Sequence, residues 1–197
     1  KCYLGDPNTE TYFLRLINNF ESEYSRYIFF YLNYLIENKR AQDAKEYVKD
    51  LEYLNLTLLI AQGKQWIDQN EYKNFNKIFS CKNHNHLIAE LFFLVSTLYS
   101  SQDQYERSNF YLNISTFLNP KFEFNHSLAA ENYYLGEYYE SAKKVLKRFD
   151  KKDQFFYWFQ IKKNAQIISK QQSKNQALKF INKEFVKIKD PNINMIF

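Results

Sequence analysis

Two stretches of the chain superpose when shifted by 34 residues. Tyr99, Tyr105, Ser108 and Leu112 fall on Tyr133, Tyr139, Ala142 and Leu146. A fixed period of this size marks a chain built by stacking one supersecondary unit, each too small to bury its apolar face alone. The constraint is severe, because a single unit then predicts the architecture of everything in register with it.

The best-defined unit spans Ala89 to Pro120. Its first helix carries Leu91, Phe92, Leu94, Val95, Leu98 and Tyr99 at mixed three- and four-residue spacing, the helical period. Ser100 to Asp103 supply a turn, and a second helix runs from Tyr105 to Leu118, stopped by Asn119-Pro120. Glu123 to about Phe149 repeats the plan around Ala129-Ala130, Tyr133, a turn at Gly136-Glu137, Tyr139, Ala142, Val145 and Leu146. The same template finds units starting near Leu56 (Leu59, Gly63, Trp66, then Tyr72, Phe75, Phe79), near Ser25 (Ile28, Leu32, Leu35, then Ala41, Ala44, Val48, Leu51) and near Trp158 (Ile161, Ala165, Ile168, then Ala177, Leu178, Ile181). The starts at 25, 56, 89, 123 and 158 are 31, 33, 34 and 35 residues apart, with the scatter assigned to connections. The predicted fold is all-α, an α-solenoid of about five antiparallel helix pairs over 25–189. Only three Gly and three Pro are present, where average usage gives roughly 14 and 10. Turn-rich β folds, Gly-rich phosphate loops and Pro-rich linkers are poorly supported.

Residues 1–24 are expected to hold a helix, Glu10 to Phe20, of a preceding repeat or cap. In 190–197, Asp190-Pro191 reads as the start of a further, truncated helix. The chain opens on Lys1, with no signal-peptide pattern, so a fragment lacking its true N-terminus is expected. No apolar run approaches the 18 or so residues of a membrane span. The expectation is a soluble chain, cytoplasmic or periplasmic. Cys2 and Cys81, the only cysteines, cannot build a disulfide framework or a four-cysteine zinc site and leave the redox compartment open.

From Phe92 onward the residues resemble the tetratricopeptide pattern in its proper spacing: Phe92, Val95-Ser96, Tyr99, Ser108, Leu112 and Pro120. Small residues such as Ser96 let the second helix approach closely, and aromatics fill the space between stacked units. In the next unit His126 replaces the first aromatic, and the Trp158 unit keeps little beyond Ala165, Ile168, Ala177 and Ile181. Leu-Asn-Pro closing a second helix, followed by Leu-Ala-Ala in a first helix, is most similar to a divergent tetratricopeptide family of alphaproteobacteria. The resemblance implies a right-handed superhelix, a bacterial source and a role in protein binding.

Chemistry-bearing residues are sparse. Cys81, His84 and His86 form the only cluster of ligand-type side chains, and Lys82 to His86 reads as a polar connection, so no metal is expected. Neither an orienting group and oxyanion hole for a Cys-His pair nor a recognisable carboxylate pair can be read. The chain is therefore read as non-catalytic, with no cofactor.

A stacked array offers a concave face lined by the first helix of every unit. Helical phase places one four-residue pair per unit there: Phe29 and Asn33, Ile60 and Lys64, Phe93 and Thr97, Ser127 and Glu131, Lys162 and Gln166. For Phe29, Ile60 and Phe93, packing between helices is an equal alternative. One tetratricopeptide subgroup grips the C-terminal carboxylate of chaperone tails through Lys and Asn. Here Phe29 stands in place of the Lys and Thr97 in place of an Asn, so that clamp is not expected. A mixed apolar and polar groove for a peptide or partner protein remains.

Residues 143–189 hold 14 Lys or Arg against Asp150, Asp153 and Glu184, a surplus of 11 that leaves the rest of the chain at −6 within the total of +5. A solvated face is the preferred reading of this asymmetry. The alternatives are a nucleic-acid-binding helical array through this basic region, or an adaptor region of a larger enzyme.

Overall fold

Among the described residues, the segments with apolar residues at helical spacing fold as helices. Asn119 closes one helix ahead of Pro120. Asp153 and Ser173 open two others by accepting the amides of Phe156 and Gln176, both at 3.2 Å, the side-chain capping that satisfies orphan amides at a helix start. The computed structural model describes residues 1–18, 25–51 and 56–188. Among them are a 3-10 turn, Cys2–Leu4, and eleven α-helices, with no strand: α1 Thr9–Asn18, α2 Ser25–Glu37, α3 Ala41–Lys49, α4 Leu58–Asp68, α5 Lys73–Ile78, α6 His84–Ser100, α7 Tyr105–Leu118, α8 Phe124–Leu135, α9 Tyr139–Leu146, α10 Gln154–Gln171 and α11 Lys174–Phe185. The described residues are thus all-helical, with the helices following one another along the chain through short connections. The expected helix at Asp190-Pro191 and the Phe20 end of the first helix lie outside the described residues.

Four of these connections share a turn. Among the described residues, Lys39, Asn70, Asp103 and Glu137 are the non-glycine residues with left-handed backbone, at φ 62, 59, 58 and 64°. Their separations of 31, 33 and 34 residues equal those of the unit starts. In each turn the next residue's amide reaches back five residues: Arg40 to Leu35 O at 2.8 Å, Glu71 to Trp66 O at 2.7 Å, Gln104 to Tyr99 O at 3.0 Å and Tyr138 to Tyr133 O at 2.8 Å. The left-handed residue's own amide bonds Ile36, Ile67, Ser100 and Tyr134 O. This paired closure is the left-handed helix cap. The fifth turn departs from it, with Gln172 at φ −129° and Ser173 capping α11.

The chain divides into two compact units, residues 1–88 and residues 89 onward. In the first, α2 packs against α1, α3, α4 and α5. Gly63 of α4 brings that helix against an aromatic cluster, since a Cβ there would meet Phe29 at 3.2 Å and Phe75 at 3.4 Å. Phe29 and Phe75 stack with centroids 5.1 Å apart, and Trp66 meets Phe75 edge-on at 5.3 Å. Glu10 of α1 is held by Arg40 at 2.6 Å and Tyr31 at 2.8 Å. Cys2 and Cys81 form a disulfide across 79 residues, with Cα atoms 5.8 Å apart, inside the normal span for such a bond. Two cysteines too few for a framework therefore still close most of this unit into one loop.

In the second unit, contacts of α6 with α7 run Ala89 to Ser115, Phe92 to Tyr111 and Ser96 to Ser108. Rising numbers on one helix meet falling numbers on the other, so the pair is antiparallel. Successive helices from α7 to α11 pack in chain order. Ala130, Ala142, Val145, Leu146, Phe149, Phe156 and Ile167 form the apolar core. The small residues Ala130 and Ala142, both 0% exposed, sit where the repeat pattern puts them.

A polar network runs beside this core. Ser96 and Ser108 hydroxyls share a hydrogen bond of 2.9 Å. Asn132 donates to Ser108 at 2.7 Å and to Asn109 at 3.0 Å, and accepts from Ser100 at 2.6 Å. Ser115 donates to Ala89 O at 2.7 Å and accepts from Asn125 at 2.9 Å. These hydroxyl and amide groups are tolerated in the interior because they partner one another.

Several boundaries differ from expectation: α3, α5 and α9 end before Leu51, Phe79 and Phe149, and α10 opens at Gln154, ahead of Trp158. His84 to His86 open α6 instead of lying in a connection. Asn83 is the reason: its side chain accepts the Asn85 amide at 2.9 Å and its carbonyl accepts from Leu87 at 3.2 Å.

Candidate functional site

The ten residues expected to line a concave face separate by unit. In the first unit the fold consumes all four. Phe29 and Ile60 are buried in the core. Asn33 is buried and donates to Phe79 O at 3.1 Å. Lys64 is buried along its stem and donates to Val48 O at 2.8 Å, with Asp68 at 3.6 Å. For Phe29 and Ile60 the packing alternative holds, because α3, α4 and α5 cover the α2 and α4 faces that bear them.

In the second unit Phe93 is buried too, its ring 5.9 Å from Phe124. Thr97 and Gln166 are exposed, while Ser127, Glu131 and Lys162 are half-buried. Thr97 and Ser127 hydroxyls return to backbone carbonyls, of Phe93 at 3.0 Å and Phe124 at 2.6 Å. Glu131 of α8 forms an ion pair with buried Lys163 of α10, whose ammonium also lies 4.7 Å from the Tyr134 ring centre. Burial and the neighbouring Lys163 charge pull the Lys162 ammonium down to about 8.

Lys162 and Gln166 border a groove of about 410 Å³ between α10 and α11, floored by Ala165, Ala177, Leu178 and Ile181, with Lys174 also on its border. Sequence reasoning placed Lys162 and Gln166 on a binding face but missed the α11 side. The available signal was Leu178, a large aliphatic directly after the small packing residue Ala177, left 58% exposed because Ala177 takes the inward position.

Two other titratable groups sit at the start of α8. Glu123 is raised to about 7 by burial and by the charges of Asp153 and Asp150, and its Oε2 is buried without a hydrogen-bond partner. His126 is lowered to about 4 by burial and by Arg148, with its ring edge-on to Phe149 at 6.1 Å.

Cys81 is in the disulfide, His86 Nδ1 accepts the Ser80 amide at 3.0 Å and His84 is exposed. Among the described residues no group of three or more His, Cys, Asp or Glu is placed to hold a metal ion. No helix among them is long and apolar enough to cross a membrane. Comparison with protein-family models, with curated proteins and with solved structures gives no match.

Proposed function

We propose that the chain is a non-catalytic binding or scaffold module, an α-solenoid of tetratricopeptide type that holds a peptide or partner protein on the face of its first helices. The observation that carries this reading is four left-handed turns, closed by the same two backbone hydrogen bonds, at separations of 31, 33 and 34 residues. A turn closed the same way at this period supports a repeated helix-turn-helix unit, the means by which repeat proteins generate an extended surface instead of a single enclosed site. A surface held by side-chain packing also binds with less ordering cost than a flexible one.

The test is site-specific photo-crosslinking in cells expressing the protein, with the photoreactive residue placed in turn at Thr97, Ser127 and Gln166 and, for comparison, at Phe117 and Lys183 on second helices. Defined adducts from the first-helix positions and none from the others support the proposal. Adducts from the second-helix positions alone, or from neither set, would refute it.

A further inference from the structure

We propose that the groove between α10 and α11 docks an acidic amphipathic peptide segment of a partner protein. Its apolar side chains would rest on Ala165, Ala177, Leu178 and Ile181, with its carboxylates against Lys162 and Lys174. The inference deepens the binding-module reading and rests on it only in taking a polypeptide as the ligand.

Three observations converge. The floor is aliphatic and open along the helix pair, and its largest side chain, Leu178, stays 58% exposed. Such a strip between two helices accepts the apolar face of an extended or helical segment. Second, α10 through residue 188 carries Lys162, Lys163, Lys170, Lys174, Lys179, Lys183 and Lys187 against the single carboxylate of Glu184. Glu184 is already engaged by Lys187 at 2.7 Å and by the Tyr157 hydroxyl at 3.3 Å, and Glu131 by Lys163. At the groove itself the described lining holds two cations, Lys162 and Lys174, and no carboxylate, which is complementary to an acidic ligand. Third, burial and Lys163 disfavour the Lys162 charge, which the side chain still carries at neutral pH, so a carboxylate brought beside it would relieve that penalty.

A nucleic acid fits this groove less well. Single-strand sites pair a basic track with aromatic platforms on which bases stack, and among the described residues no aromatic ring lines this groove. Phosphates would gain nothing from its aliphatic floor.

The experiment is fluorescence anisotropy of the full chain with a labelled Glu-rich peptide of about fourteen residues bearing Leu at positions one helical turn apart. Two further probes are the same peptide with Ser replacing Leu, and oligo(U) of equal charge. Lys174 and Leu178 are exposed, so Lys174→Glu and Leu178→Asp leave the fold intact, which circular dichroism checks. Lys183→Glu makes the same charge change on the opposite side of α11.

The Leu-bearing peptide should bind, and affinity should fall about tenfold or more with Lys174→Glu, with Leu178→Asp and with the Ser peptide, but not with Lys183→Glu. Equal binding of the Ser peptide or of oligo(U) would mean that only charge is read and would overturn the proposal. A chain dimer dissolved by Leu178→Asp in sedimentation would assign the groove to a second copy and overturn it too. Loss of peptide binding leaves the crosslinks from Thr97 and Ser127 untouched, so failure of this inference is distinguishable from failure of the broader reading.

Discussion

At the residue scale, the most exacting position is Ala130. It is fully buried in the core with Ala142, Val145 and Leu146, where three added carbons have no space. Ala130→Leu is expected to lower stability by roughly 1–3 kcal/mol through overpacking, read as a lower urea midpoint. An unchanged midpoint would show that this face is not closed. Glu123 presents the opposite problem, a carboxylate held where its charge is unwelcome. Its folded pKa of about 7 lies above the ordinary 4.5, so the unfolded chain loses the proton first. Stability therefore drains away as pH rises from about 4.5 to about 7. Glu123→Gln should be more stable than the parent at pH 8, by on the order of 1 kcal/mol because solvent screens this half-buried site, and equal to it near pH 4. His126, lowered to about 4 from 6.5, loses stability as pH falls through that window, identically in both proteins, so it cancels from the difference. A gain of the same size at pH 4 and pH 8 would mean Glu123 does not titrate as described.

At the element scale, the recurring left-handed turn is filled by Lys39, Asn70, Asp103 and Glu137, none of them glycine. The Cβ of each crowds the following carbonyl, and Asn and Asp tolerate that backbone better than Lys or Glu because their short polar side chains can hydrogen-bond the local backbone. Lys39→Gly and Glu137→Gly should each stabilise by about 0.5–1 kcal/mol, and Asn70→Gly by less. A thermal melt showing Asn70→Gly as the largest gain would contradict this account of the turn. These turns also mark how far sequence could see. The helices, their order and the stop at Pro120 follow from apolar period and punctuation, which are local. The fourth turn falls at Gly136-Glu137 as its letters suggest, but which of the two bends is not legible there: Gly136 has φ −77° and Glu137 takes the left-handed position. Helical phase likewise told where Phe29, Ile60 and Phe93 sit on their own helices. What lies on top of them depends on neighbouring helices, and that is not a local property. Ser96 read correctly as small, while its hydrogen bond to Ser108 and the link onward to Asn132 depend on a helix crossing that letters do not encode.

At the scale of the whole molecule, the feature least visible in the sequence is the Cys2–Cys81 bond, since a separation of 79 residues carries no information about proximity. Its mechanical consequence belongs to one of the two compact units alone. Both sulfurs lie within residues 1–88, and the apolar core of Ala130, Leu146 and Phe156 lies in the other unit. A cross-link closing a long loop stabilises mainly by restricting the unfolded chain, typically by about 2–4 kcal/mol. Replacing both cysteines with Ser should therefore weaken amide protection in α2 to α5 by about that amount while leaving α8 to α10 unchanged, as read by native-state hydrogen exchange. Equal loss of protection in both sets of helices would show that the two units open as one cooperative block, as tightly coupled repeats do. No change in either would show that the α1 contacts of Glu10 with Arg40 and Tyr31 suffice to hold the first unit together.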